Sequence, residues 1–290
     1  MILLDFSNII VGSIMVAHKI PDEERFGEDY IRHLVLNSIR SYRTKYKSQY
    51  GEIVICCDQH ASWRKEPFPY YKAHRKAERT KQKEEKGMDW KALFETINKI
   101  IEELDTYFPY KVIRIDHAEG DDVIAVLSKY ANNDLKEKTL IVSSDKDFSQ
   151  LYKYKSIRQY SPMKKKMLNG IDPFEYLKEH IIRGDKGDGI PNILSADNTM
   201  VEKIRQKPIS KKKVATWMTQ NPQVDFKDEM LHGWNRNQVL IDFEYIPTSI
   251  ADGILSEYKK DKVYQQGNLM NYFITNRLKY LMENMEEFTR

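Results

Sequence analysis

Four short aliphatic or β-branched runs punctuate the first half of the chain: ILLD at 2–5, IVICCD at 53–58, KVIRID at 111–116 and TLIVSSD at 139–145. Each closes on an acidic residue. Between them apolar positions recur at helical spacing, as in DYIRHLVLNSIRSYRTKY from Asp29 and MDWKALFETINKIIEELDTYF from Met88. Strands that are apolar almost throughout, alternating with amphipathic helices, predict an α/β fold with a mostly parallel sheet and helices on both faces. Ligands of such sheets sit beyond the carboxyl ends of the strands, which is where these acids fall. The opening MILLDFSNIIVGSIMV has no basic leader and is broken by Asp5 and Asn8. It therefore reads as a strand running into a helix, not as a signal sequence.

Past about Asp172 the pattern turns helical. DPFEYLKEHIIRG predicts a helix that ends in the Gly-rich turn DKGDGIPN, and roughly 195–290 reads as helical and polar, with a basic run at Lys211 to Lys213. A chain of 290 residues accommodates a main domain with a helical extension, and 41% hydrophobic residues suffice for its core. Charged residues at 31% and a net charge of +4 describe a soluble protein without a membrane span. The only cysteines, Cys56 and Cys57, are adjacent, so a strand points them to opposite sides and no disulfide forms between them. A monomer in a reducing cytoplasm is expected.

The acids are the first candidate chemistry. Asp5 and Asp58 end the first two strands. HAEGDD puts Glu119, Asp121 and Asp122 after the third, SSDKDF puts Asp145 and Asp147 after the fourth, and RGDKGDG adds Asp185 and Asp188. Like charges gathered within ~4 Å repel by several kcal/mol at a protein surface, so a cation is required to hold them together. Carboxylates without His or Cys partners suit Mg²⁺ or Mn²⁺, and no HxxxH or CxxC spacing points to zinc. Two such ions clamping a phosphodiester is nuclease chemistry. The bland reading is that a strand-end Asp caps a helix or makes a turn, and for Asp122 capping competes evenly with ligation.

Segment 62–86 is the second candidate. It carries nine Lys or Arg against four Glu, a net +5 that exceeds the charge of the whole chain. Trp63, Phe68, Tyr70 and Tyr71 are interleaved with Arg64, Lys65, Lys72, Arg75, Lys76 and Arg79, which pairs phosphate neutralisation with base stacking. Lys72 and Arg75, three residues apart, are placed to reach a scissile phosphate from one helix face. In the turn, Lys186, Gly187 and Gly189 offer backbone amides as a phosphate nest. A solvated charge run and a plain helix C-cap are the structural alternatives.

Together LLDFS, CCDQ, WRKEPFPYYKAHR, HAEGDD, SSDKDFSQL and RGDKGDG resemble the flap endonuclease and 5′ exonuclease family, in order over most of the chain. The resemblance implies a PIN-like, Rossmann-like nuclease domain over 1–170 with a basic helical arch at about 60–88. It also implies a helical C-terminal domain over 171–290 that contains a helix-three-turn-helix element. Asp5, Asp58, Glu119, Asp121, Asp122 and Asp145 would hold one Mg²⁺, and Asp147, Asp185 and Asp188 would hold a second. Lys72 and Arg75 would contact the scissile phosphate. The implied substrates are branched or nicked DNA and RNA/DNA hybrids, with RNA primers and short 5′ flaps removed during replication. The chain departs from the family where its turn continues as IPNILSADNTM instead of the usual GIGxK. QQGNLMNYF at 265–273 resembles a sliding-clamp docking box, and a clamp or single-strand-binding protein is the candidate protein partner; an amphipathic core segment gives the same pattern. A PIN-type endoribonuclease acting on structured RNA is the alternative enzyme, and it needs neither the basic bridge nor the Gly-rich turn. A non-catalytic branch-binding protein would have acids that only repel phosphate.

Overall fold

The computed structural model describes residues 1–17, 27–59, 61–86 and 90–289. The four expected strands form as β1 (Ile2–Asp5), β2 (Ile53–Cys56), β3 (Lys111–Ile113) and β4 (Thr139–Val142). Two more follow, β5 (Ile157–Ser161) and β6 (Lys166–Leu168), and the sheet order is β3-β2-β1-β4-β5-β6. Pairings from β3 through β5 are parallel, and β6 runs antiparallel at the edge. Lys111–Ile113 and Ile53–Cys56 stop short of the acids that follow them, so Asp58 and Glu119 stand on loops beyond the sheet.

Alternation along each strand builds two layers. Ile2, Leu4, Ile53, Ile55, Leu140 and Val142 face α1 (Phe6–Ala17), α2 (Glu28–Tyr50) and α4 (Trp90–Tyr107), the helix α3 (His74–Lys86) lying between α2 and α4 in the chain. Leu3, Val54 and Ile141 face α5 (Gly120–Tyr130) and share their cluster with Phe148. Cys56 and Cys57 accordingly fall in opposite clusters and are unbonded.

The helices after the sheet are α6 (Pro173–Arg183), α7 (Lys211–Thr219), α8 (Pro222–Asp225), α9 (Asp228–Ile241), α10 (Thr248–Lys259), α11 (Gln266–Thr275), α12 (Lys279–Met282) and α13 (Glu286–Thr289). Ile250 and Ile254 of α10 join the second layer, and Leu269, Tyr272, Phe273, Leu281 and Phe288 join the first. The clamp-like box is therefore core. Leu269, Tyr272 and Phe273, the residues a docking peptide must expose, are buried, and Tyr272 stacks on Tyr107. A third cluster joins Ile181, Ile182, Ile190, Ile193, Val214, Phe226 and Trp234 with Phe68 and Tyr71 from the basic segment. No helix among the described residues is long and apolar enough to cross a membrane.

Candidate metal centre and nucleic-acid interface

Asp5, at the end of β1, is 6% exposed; it accepts hydrogen bonds from the Asn8 amide at 3.0 Å and the Ser143 hydroxyl at 2.6 Å. Asp58 accepts from the Gly120 amide at 2.7 Å and the Ser7 hydroxyl at 2.5 Å. Gly120 allows that approach, since a Cβ there would lie 3.2 Å from Asp58 Oδ1. Asp145, beyond β4, accepts from the Asp147 amide at 2.8 Å, and Gln159 donates to its carbonyl at 2.6 Å. Asp58 and Asp145 are open to solvent.

The electrostatics tie these acids to one place. Burial, reinforced by Asp58 and Asp145, pushes the Asp5 carboxyl up to about 7, although Ser143 and Asn8 oppose it. Asp121 is pushed well above the carboxylate range by burial and by the charges of Asp5, Asp145 and Asp58. Burial is the larger cause in both, and the neighbouring carboxylates add to it, so these acids face a common region. Asp5, Asp58, Asp121 and Asp145, remote in sequence, thus converge beyond β1, β2 and β4. Such an oxygen set fits a hard divalent cation.

Glu119 belongs to the rim of this group. Its Oε1 accepts from Lys72 Nζ at 2.5 Å, and its Oε2 from Tyr71 at 2.7 Å and Arg64 at 3.1 Å. Burial works against its ionisation, but Lys72 and Arg64 prevail and hold it down at about 2. Asp122 departs from the expected ligand role. It is fully buried and closes the capping box of α5, accepting from the Glu119 amide at 2.9 Å, Trp63 Nε1 at 3.2 Å and Arg64 Nη2 at 2.8 Å. Its oxygens are used up within the protein.

The basic segment also differs from a uniform nucleic-acid track. Arg64 is buried, spending its guanidinium on Asp122, Glu119 and the Leu240 carbonyl, so it touches no phosphate. Tyr71 is buried in the third cluster with its hydroxyl bonded to Glu119 and to Asp188 at 2.8 Å, so it stacks on no base; Trp63 and Phe68 are buried too. Residues 63–71 therefore anchor the bridge to the helical region. Tyr70, Lys76 and Arg79 remain exposed, Arg79 lying 4.9 Å from the Phe94 ring centroid. The arch expected at 60–88 includes residues 60, 87 and 88, which lie outside the described residues.

Lys72 precedes α3 with a left-handed φ of 55°, so helical spacing is not what unites it with Arg75. Asp188 unites them: Arg75 Nη2 lies 2.7 Å and Lys72 Nζ 3.6 Å from its Oδ1, while the Lys72 amide donates to its carbonyl. Arg75 also donates to the Gly187 carbonyl. The expected phosphate nest is closed. Asp185 accepts the Asp188 amide, and the Gly189 and Ile190 amides donate to the Lys186 and Asp185 carbonyls. Gly189 is buried at φ +74° beneath the bridge, where a Cβ would stand 2.8 Å from His74 Nδ1. Lys186 and Gly187 stay exposed.

The second acid group is rearranged as well. Asp147, Asp185 and His180 bring one ligand atom each within 4.8 Å of one another, whereas Asp188 is turned toward Lys72 and Arg75. Burial pushes Asp147 up to about 6 against the opposing pull of His180. Burial alone would raise Asp185, but His180 and the amides of Asp188 and Gly187 keep it below the usual range. His180 was not among the sequence candidates. Its signal is the EHIIRGD spacing, which carries a helix-end histidine to a turn aspartate once Gly184, at φ +67°, reverses the chain.

Residues 23–180 match the family described as 5′-3′ exonuclease, N-terminal resolvase-like domain, and residues 173–288 match the one described as T4 RNase H, C terminal. The chain is 36% identical to ribonuclease H of Enterobacteria phage T4 over 297 residues, covering 99% of this chain and 95% of that protein. It is 34% identical to an exonuclease of Escherichia phage T7 over 122 residues, 41% of this chain and 36% of that one. Bacteriophage T5 5′-exonuclease, solved with zinc ions bound, shares the fold with a TM-score of 0.62 at 16% identity, over 89% of this chain and 98% of that chain. The T5 flap endonuclease in a pseudo-enzyme-product complex with DNA and metal ions also aligns at 0.62, with 17% identity, over 89% of this chain and 99% of that chain. The chain therefore belongs to the 5′-3′ exonuclease family, with that family's resolvase-like domain followed by a C-terminal domain of the T4 RNase H kind.

Proposed function

We propose that this protein is a structure-specific 5′ nuclease that hydrolyses phosphodiester bonds with two divalent cations, Mg²⁺ or Mn²⁺ in its place. Its role is to remove RNA primers and short 5′ flaps from duplex DNA in replication, alongside replication proteins such as a single-strand-binding protein. The observation that carries this reading is the convergence of Asp5, Asp58, Asp121 and Asp145 beside Glu119, whose charge Lys72 already meets. The T4 relative bears the name ribonuclease H, and a T5 homologue has been captured with DNA and metal ions.

Asp5, Asp58, Asp121 and Asp145 would hold the first cation, with Asp147 and Asp185 serving the second. When bound, such ions activate a water and stabilise the leaving oxygen. The protein's own cations do the positioning. Lys72 and Arg75, now paired with Glu119 and Asp188, exchange those carboxylates for the scissile phosphate and stabilise its developing charge. The α3 helix guides the single-stranded 5′ end. Residues 1–170 supply most of the chemistry, and 171–290 add Asp185 to it and grip the duplex through the segment between α6 and α7.

Incubation with Mg²⁺ and three end-labelled substrates tests this: a 5′ flap, a nicked RNA/DNA hybrid and a structured RNA without a free 5′ tail. The flap and the hybrid are shortened from the 5′ end and the structured RNA survives. Preferential cutting of the structured RNA would instead favour an endoribonuclease.

A further inference from the structure

Resting on the nuclease reading, we propose that Arg79 of α3, with Trp90 and Phe94 of α4, forms a stacking site for one unpaired nucleobase of the 5′ strand. The site lies one helical turn along α3 from Arg75 and contains none of the carboxylates. It takes the π face that every base presents, so it holds the tail without reading its sequence.

Geometry comes first. Trp90 and Phe94, four residues apart on one face of α4, have ring centroids 5.9 Å apart and planes 34° from parallel. That face is turned to α3, because the Arg79 guanidinium stands 4.9 Å from the Phe94 centroid and 5.7 Å from that of Trp90. Trp90 is half-buried against the first core cluster, which fixes it, while Phe94 is left 38% exposed. An anchored ring, an open ring and a cation over both are the parts of a base-stacking platform. Second, the Trp90 indole Nε1 is buried and has no hydrogen-bond partner among the described residues. A buried indole N–H ordinarily finds an acceptor. A nucleotide offers acceptors on its base edge and its phosphate, so one ligand supplies both the missing acceptor and a partner for the open ring.

Charge is the third observation. Arg79 follows Arg75 by one turn, and Arg75 reaches Asp188 and the Gly187 carbonyl at the edge of the acid group. Burial, and after it the charge of Arg75, lower the pKa of Arg79 below the ordinary arginine value. A strand phosphate between the two arginines offsets both effects. Arg79 is thus the side chain that gives way: its guanidinium covers the rings in the free protein and turns to the neighbouring phosphate when a base takes its place. The competing role for this cluster is a cation–π brace that only ties α3 to α4.

Anisotropy of two labelled flap substrates on the full chain in EDTA separates these roles without cleavage. One substrate carries bases along its 5′ tail, and the other carries abasic residues at the same positions. The wild-type protein binds the base-bearing tail about tenfold or more tightly. In Phe94→Leu that preference falls below about threefold, and in Phe94→Tyr, which keeps a ring, it returns. A brace gives a different pattern, in which Phe94→Leu weakens both tails alike. Circular dichroism reports whether each variant folds, and the wild-type comparison needs no variant at all. Equal wild-type affinity for the two tails, or a preference that Phe94→Leu keeps, overturns the stacking site. Cleavage of the base-bearing flap in Mg²⁺ is scored separately. If it proceeds while the tails bind alike, the nuclease reading stands without the stacking site; if neither Mg²⁺ nor Mn²⁺ supports it while the preference holds, the nuclease reading falls and the stacking site stands.

Discussion

Asp145 is exposed, bonds within its own turn through Oδ1, and pairs with no cation among the described residues. Its charge is thus available to an ion, and it makes no phosphate contact to lose. Asp145→Asn is predicted to slow Mg²⁺-dependent cleavage by roughly a hundredfold or more while duplex affinity stays within about threefold. Turnover by the purified variant at the wild-type rate refutes the ligand role. Asp5 gives a second handle. Its folded pKa, about 7, lies above its ordinary value of 3.8, so the folded protein binds this proton more tightly than the unfolded chain does. That contribution to stability is complete below pH ~4 and is lost as pH rises toward 7. His180, held above its ordinary value by Asp185 and Asp147 against the effect of burial, acts in the same direction. Melting in EDTA should therefore fall in temperature between about pH 5 and pH 8, and added Mg²⁺ should raise it more at the upper end. A melting temperature that climbs with pH in EDTA contradicts the crowded site.

At the scale of elements, α3 and the turn after α6 work as a clasp. Arg75 joins them through Asp188 and the Gly187 carbonyl, and under the proposed function it meets the single strand. Arg75→Ala is predicted to slow cleavage of substrates with 5′ single-stranded tails by about tenfold or more, with a smaller loss of duplex affinity. Rates on tailed and blunt substrates, set against anisotropy-measured binding, check this; equal losses demote α3 to a structural brace. The elements differ in how plainly the sequence declares them. β1, β2 and β4 were legible because a doubly covered strand must be apolar on both sides. β5 and β6 were not: IRQYS and KML carry polar residues that look like loop, although β5 is paired on both sides and only β6 is an edge. The strand-end acids were legible as a group because repulsion demands a cation. Arg64 and Tyr71 were misread because a charge-rich segment says nothing of what it packs against, and here Tyr71 joins the third cluster while Arg64 is buried against Asp122; for Asp122 the capping alternative, evenly weighted in the sequence, is the one the structure takes. His180 escaped notice because a basic residue in a last helical turn is ordinary, and only the reversal at Gly184 brings it to Asp185.

The whole molecule carries only +4, yet it must hold a polyanion over an acidic pocket. Its attraction for nucleic acid must then come from local concentrations of charge, and the described structure removes some candidates. Arg64 is spent on Asp122, and Lys72 and Arg75 on Glu119 and Asp188. Lys211, Lys212 and Lys213, in the first turn of α7, are exposed and make no ion pair among the described residues. Each phosphate they neutralise adds about 0.9 to the steepness of log affinity against log salt. Replacing all three with Gln is predicted to flatten that slope by roughly two to three units between about 50 and 200 mM salt. The rate of a single turnover at saturating enzyme should barely change, because α7 contributes none of the converging carboxylates. Anisotropy of a labelled flap substrate across the salt series measures the first quantity and rapid quench the second. An unchanged slope would mean that the duplex runs elsewhere, and the exposed face of α3, with Lys76 and Arg79, would then have to bear the electrostatic grip alone.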